Sequence, residues 1–425
     1  MRNPIPFLQR YTEFDVLASS DGLYSPVFSE QLEQTENFHR RPNPGIALFR
    51  PSAESLVFSW LDCVLRGLDS DRACLAAQVQ QDLKRIENFP EPAVLAHYDS
   101  VVLGALPTNL FVGGQMWLEG YHQRDNASDI FAQHASGQSC AEAKKHRMRE
   151  DGRWLMDGER HFDNMVGFIA YDPDIPLELL ETVQTFADPT DEWMLMRREA
   201  YGEDWIYPQL EDKLPHLYLV NHQLRQLRSQ MVLAAELGNA AVILPRFVCG
   251  HDKNAYGLGG RVLGSRMRIP FHCPADMILD FRAIKQHRPA GFKEYNFLLK
   301  SGAELHNKTR LDVYICQPDE LGCETGDTPV KLTYRQSVRI QPRRTLAQLR
   351  RLFLSAIRQH RLLYFHGDMA NLMVMTEDEI WRHSSELQKF MGYDLFWDLP
   401  GHFTASERQL NDTWQAVLEE YRGCD

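Results

Sequence analysis

No run in this 425-residue chain approaches the ~18 consecutive apolar residues that a membrane-spanning helix requires. Its opening, MRNPIPFLQRYTEFD, lacks the charged, apolar and small-residue zones of a secretory leader, so none is expected within these residues. Positive charge is in short supply: 46 Lys and Arg stand against 58 Asp and Glu, a formal net charge of −12. That balance argues against a non-specific nucleic-acid binder or a polybasic membrane-surface binder, and any anion site has to be a local basic pocket. Cys-x-x-Cys pairs are absent. The eight cysteines are dispersed at 63, 74, 140, 249, 273, 316, 323 and 424, which argues against structural zinc. Cys249 with Cys273, and Cys316 with Cys323, are the candidate disulfides, with buried free thiols as the alternative. What remains is ordinary: 44% hydrophobic and 24% charged residues, in a chain long enough for two domains with a core each.

The most informative stretch runs from Phe131 to Phe162, FAQHASGQSCAEAKKHRMREDGRWLMDGERHF. It sets His134 and a small-residue Ser/Gly loop ahead of five basic residues, Lys144, Lys145, His146, Arg147 and Arg149. Such a loop lets backbone N–H groups approach a polyphosphate, while Lys supplies a point charge and Arg a bidentate fork. A histidine at the loop's mouth suits a divalent metal. The plainer alternative is a solvated basic helix turn with a surface histidine. Adjacent residues do not share a helix face, so only one of Lys144 and Lys145 points inward.

The stretch resembles the C-terminal signature of glycosyltransferase family 77, nucleotide-diphospho-sugar transferases that include extensin arabinosyltransferases. The matching residues are His134, then Ala143-Lys144-Lys145-His146-Arg147-Met148-Arg149-Glu150, then Trp154 and Phe162. Asn43-Pro44-Gly45 resembles the family's Asn-x-Gly segment, and the region 216–276, with Cys249-Gly250 and Pro270-Phe271-His272-Cys273-Pro274, resembles the second module of its arabinosyltransferase branch. The resemblance implies a retaining transferase that moves an arabinose, xylose or galactose type of sugar from a UDP-sugar donor to a glycoprotein or polysaccharide acceptor. It implies donor contacts at Asn43, Gly45, Lys144, Arg147 and Arg149, with the two arginines either supporting the diphosphate clamp or forming structural ion pairs. His134 is implied as a ligand of Mn²⁺ or Mg²⁺. It further implies residence in the Golgi lumen as a type II membrane protein of the cell-wall pathway, and the Asn-x-Ser/Thr sequons at Asn126, Asn307 and Asn411 fit a lumenal protein. Relative to the family pattern, Met1 falls where the strand bearing the metal-binding Asp-x-Asp has just ended. That strand, and a membrane anchor before it, are therefore expected upstream, and this chain by itself is expected to be inactive. The competing function is a non-catalytic remnant that binds a nucleotide sugar or glycan.

The expected fold is α/β: the C-terminal part of a GT-A-like transferase domain over 1–175, a connecting segment over 176–212, and a Rossmann-like α/β domain over 213–425. Ser52 is expected to cap a helix bearing Leu56, Leu61 and Leu65, and another helix is expected over 71–86. A strand over His216–Val220, a helix over 223–237 and a strand over Ala240–Leu244 would form a βαβ unit with a parallel sheet. A helix over 346–360 and a strand over Leu362–Phe365 continue the pattern, and capping boxes at Thr376 and Thr404 open the last two helices. Four further motifs bear on chemistry. Asp69-Ser70-Asp71 reads as a polar inter-helix turn. Asp172-Pro173-Asp174 ends an apolar run, as a metal-binding pair would. His251, Asp252, His272 and Asp276 read as a metal cluster or as loop polars. His366-Gly367-Asp368 with Asn371 has the wrong spacing for a kinase-type catalytic loop.

Overall fold

The computed structural model describes residues 3–20, 31–32, 42–67, 70–80, 83–108, 110–113, 130–135, 140–186, 210–250, 270–287, 292–318, 320–323 and 336–390. The chain is α/β and divides after Gln138 into two compact units. Thr404, His251, Asp252, Asn126 and Asn411 lie outside the described residues. No described helix is long and apolar enough to cross a membrane.

The first unit holds a five-stranded sheet of order β2-β1-β5-β4-β3, formed by β1 (Val16–Ser20), β2 (Pro42–Phe49), β3 (Lys84–Arg85), β4 (Val94–Ala96) and β5 (Val101–Ala105). β1 and β5 are parallel and the other neighbours antiparallel. Alternation along β1 explains its two cores. Val16 and Ala18 pack with Leu56, Leu75, Val94 and Leu103 beneath helices Glu54–Leu65 and Asp71–Val79. Leu17 joins Phe7, Tyr11, Phe14 and Phe111 on the opposite face. At Gly104 a Cβ would come within 2.7 Å of the Phe14 ring, so the aromatic side of the core is built around a missing side chain. A parallel pair, β6 (Phe111–Gly113) and β7 (Ala132–His134), completes the unit.

The second unit carries a six-stranded sheet, β12-β9-β8-β15-β13-β14, with every neighbour parallel. Its strands are β8 (Phe168–Tyr171), β9 (Ala241–Ile243), β12 (Phe292–Lys293), β13 (Leu311–Ile315), β14 (Ser337–Ile340) and β15 (Leu362–His366). β8 and β9 are buried throughout, as strands covered on both faces must be. The helix Leu210–Glu236 lies against β8 and β9. Its buried polar stripe ties down carbonyls near the sheet: Gln230 Nε2 donates to Ile169 O (2.7 Å) and Ile243 O (3.0 Å), and Gln226 Nε2 donates to Asp174 O (2.7 Å). Gln223 exchanges two hydrogen bonds with Val248, at the start of the hairpin of β10 (Val248–Cys249) and β11 (Phe271–His272).

Several expectations change. The boundary lies at 138/139 rather than in 176–212, because β8 pairs with β9 and β15 and so belongs with the C-terminal strands. His216–Val220 is helical, not a strand, and the βαβ unit runs from β8 through the long helix to β9. Ser52 sits in a 3₁₀ turn and donates to Asp15 instead of capping the helix, which starts at Glu54. The second helix stops at Val79 and residues 84–85 pair with β4. Ser70 is a helix cap, as a polar turn there implies, with its Oγ accepting from Ala73 N. Helix 346–360 and strand 362–366 form as expected, and Thr376 makes its full capping box with Glu379. Cys249–Cys273 and Cys316–Cys323 are disulfides, and a third bridge, Cys63–Cys74, joins two helices.

Candidate functional site

The six residues implied by family resemblance divide between the two units. In the first, Asn43 and Gly45 lie on β2, with Asn43 paired to Ser19 beside a bulge in β1. The imidazole of His134, on β7, packs directly against Gly45: a Cβ there would lie 2.2 Å from His134 Cε1 and Nδ1. Two residues widely separated in sequence are thus brought together, and only glycine admits the ring in this position.

In the second unit, Cys140 and the helix Ala141–Glu150 carry the basic cluster. The helix is rich in strong helix formers, Cys140 Sγ accepts from Ala143 N, and Arg147 and Arg149 occupy the last turn, where cations suit the dipole. Its buried stripe is Ala143, His146, Arg147 and Glu150, the i, i+3, i+4, i+7 face of a helix built from polar residues. His146 stacks on Phe281 with ring centroids 3.9 Å apart, and Glu150 accepts from Ala275 N at 3.3 Å. Arg147 is 1% exposed and grips Asp276 through two hydrogen bonds of 2.9 and 2.8 Å. Of its two implied roles, the structure gives it that of a structural ion pair. Asp276 is thereby accounted for, while His272 is exposed, so no metal cluster forms from these two.

Arg149 pairs with Asp157 and opens a buried charge network. Asp157 lies 3.5 Å from His161 Nε2, which is 3.1 Å from Glu294 Oε1, and Glu294 also binds Lys300. Burial works against ionising Glu294, but hydrogen bonds from His161 and Lys300 outweigh it and hold the carboxyl far below its usual range. Burial lowers the neighbouring Lys293 to about 8, opposed by Glu294 and assisted by Arg149. Its ammonium donates to His161 O at 2.6 Å. Lys145 Nζ sits 5.2 Å from the Trp154 ring centroid. Lys144 differs from these cations. It is half-buried, as Lys145 is, and among the described residues has no carboxylate or aromatic partner.

Around His134 the described residues supply no complete ligand set for a divalent metal. Only two described groups bring three potential ligand atoms together, and neither includes His134. In one, Cys316, Glu320 and Cys323, the sulfurs are bonded to each other. In the other, Asp157, His161 and Glu294, the carboxylates are paired with Arg149 and Lys300. Asp172 and Asp174 do not converge either. Asp172 accepts from Tyr364 Oη (2.5 Å) and approaches His366 Nδ1 (3.0 Å), whereas the Asp174 backbone is held by Gln226 and His222. Sequence reading assigned the Asp172 and His366 motifs no shared role, because nothing in the intervening residues signals that their strands are neighbours.

No family model matches the chain, and no solved structure matches it. Over 339 residues, 77% of its length, it is 28% identical to an arabinosyltransferase of Arabidopsis thaliana. It spans about half of that protein, 48% of its length. Across most of its sequence, therefore, the chain resembles an arabinosyltransferase about twice as long as the matched region.

Proposed function

We propose that this chain serves the transfer of a sugar, arabinose foremost, from a nucleoside-diphosphate donor to a glycan or glycoprotein acceptor. The similarity to an arabinosyltransferase over 77% of the chain carries the reading, and Lys144 gives it a physical centre. Departure of a nucleoside diphosphate builds negative charge on the β-phosphate, and a cation placed there stabilises the transition state. On the helix 141–150, His146, Arg147 and Arg149 are held by internal partners and Lys145 by Trp154, which leaves Lys144 to meet a ligand. The donor contacts that the resemblance implies at Asn43 and Gly45, and the metal ligand it implies at His134, form part of this reading. Retention of configuration, a wall glycoprotein acceptor and Golgi residence belong to the same proposal. Dependence on Mn²⁺ or Mg²⁺ would need carboxylates beyond the described set around His134.

Titration of UDP into wild type and Lys144→Ala tests the clamp. The loss expected is at least ~1.5 kcal/mol, the scale of a charge-assisted hydrogen bond. Equal affinities would remove Lys144 from the site. With and without Mn²⁺, His134→Ala is expected to lower only the metal-dependent part of binding; an equal fall in both makes His134 structural. Donor binding without transfer to any acceptor favours the non-catalytic alternative.

A further inference from the structure

The six-stranded sheet reverses its winding at its centre. From β8 the chain steps outward to β9 and β12, then crosses to β13 and β14 on the other side, and β15 returns to lie beside β8. Ligands of open parallel sheets bind outside the carboxyl ends of the strands at such a reversal. Beside this reversal lies a joined set of side chains, with His366 and Asp172 at the carboxyl ends of β15 and β8, and Arg310 and Asp312 at the amino end of β13. His366, the last residue of β15, lies 3.0 Å from Asp172 through Nδ1 and 2.9 Å from Asp312 through Nε2. Tyr364 donates to Asp172, and Arg310 pairs with Asp312 at 3.2 Å while lying over the Tyr364 ring. Tyr314 stacks nearly flat on His366, with centroids 4.6 Å apart and planes at 15°, and remains 43% exposed.

Three properties restrict the ligand. A flat, accessible aromatic ring backed by a second ring offers a surface for the C–H face of a sugar. The Asp172 side chain, 57% exposed, keeps acceptor capacity for hydroxyl groups after its bonds to Tyr364 and His366. Two carboxylates against one arginine already paired with Asp312 disfavour phosphate or carboxylate ligands. We infer that the Tyr314–His366 stack and Asp172 form a binding subsite for an uncharged sugar unit of the acceptor glycan, an inference that rests on the chain being a sugar-handling protein. His366 is its positioning residue, since it holds both the ring and the carboxylate in place.

Saturation-transfer NMR on the full chain with neutral oligosaccharides of arabinose, xylose and galactose tests this, beside the UDP titration. At least one of the three should receive saturation from the wild type. Its Kd should rise at least about tenfold in Tyr314→Ala, the loss of one stacked ring, and likewise in Asp172→Asn, with thermal midpoints and UDP affinity unchanged. Absence of transfer to all three sugars while UDP still binds would overturn the subsite and leave the donor reading intact. Wild-type affinity in both variants would overturn it as well, as would equally tight binding of an oligogalacturonate. Sugar binding that survives where UDP binding fails would uphold the subsite and remove the donor site.

Discussion

At the scale of single residues, the basic helix shows how far a charge cluster can be read. Its cations were visible in sequence, but their partners were not: Asp276 lies 129 positions from Arg147, and no local pattern announces it. The pair is fully buried and bidentate, so deleting one member strands a charge. Arg147→Ala is expected to cost about 3–5 kcal/mol in denaturant unfolding, while Lys144→Ala, half-exposed and without a carboxylate partner among the described residues, should stay within about 0.5 kcal/mol. That split between stability and UDP affinity separates the structural cation from the ligand-binding one. Lys293 adds a pH dependence. Its folded pKa of about 8 lies below the unfolded 10.5, so between these values the unfolded chain holds the extra proton. Stability contributed by this group therefore rises with pH across the window and is flat below it. Unfolding free energies from pH 7 to 11 should show a shallower rise in Lys293→Met than in wild type.

Elements were legible where their signal was local. Helix 346–360 has a wide apolar stripe and a capping box, and Thr376 announces the next helix in the same way. Thr376→Ala should lower stability by about 1 kcal/mol, measurable by chemical denaturation. Where burial extends around an element, periodicity fails. The helix Leu210–Glu236 buries Leu219, Val220, Leu224 and Leu227 together with Gln223, Gln226 and Gln230, so its first half imitates a strand and its glutamines imitate a surface. Cys63–Cys74 escaped for a related reason: the two helices it joins are separated by a short turn whose course the sequence does not specify. For the seven cysteines among the described residues, peptide mapping after thiol blocking without reduction should recover three linked pairs and a modified Cys140.

At the scale of the whole molecule, an acidic, Pro-containing stretch suggested a boundary between two regular regions, yet the polypeptide threads through it and keeps one sheet. β8 stands between β9 and β15 near the centre of that sheet. A fragment of residues 139–425 should therefore unfold cooperatively. A fragment of 205–425, lacking β8, should be soluble without a transition or should aggregate through the exposed strand edges. Differential scanning calorimetry on the two decides between one sheet and a self-sufficient C-terminal domain.

The placement of β8 also sets an order in time. Its partner strand β15 follows nearly two hundred positions later, as the Tyr364–Asp172 bond across 192 residues records. On a ribosome adding ~5–20 residues per second, the centre of the sheet waits on the order of ten seconds or more with one side open. During that interval β8 exposes an apolar edge that nothing yet made can cover, and such long-range pairing is intrinsically slow to close. Synthesis therefore exposes this protein to misassociation for seconds at a strand that is fully buried once folded, and a chaperone that binds extended apolar segments has its natural target at Phe168–Tyr171.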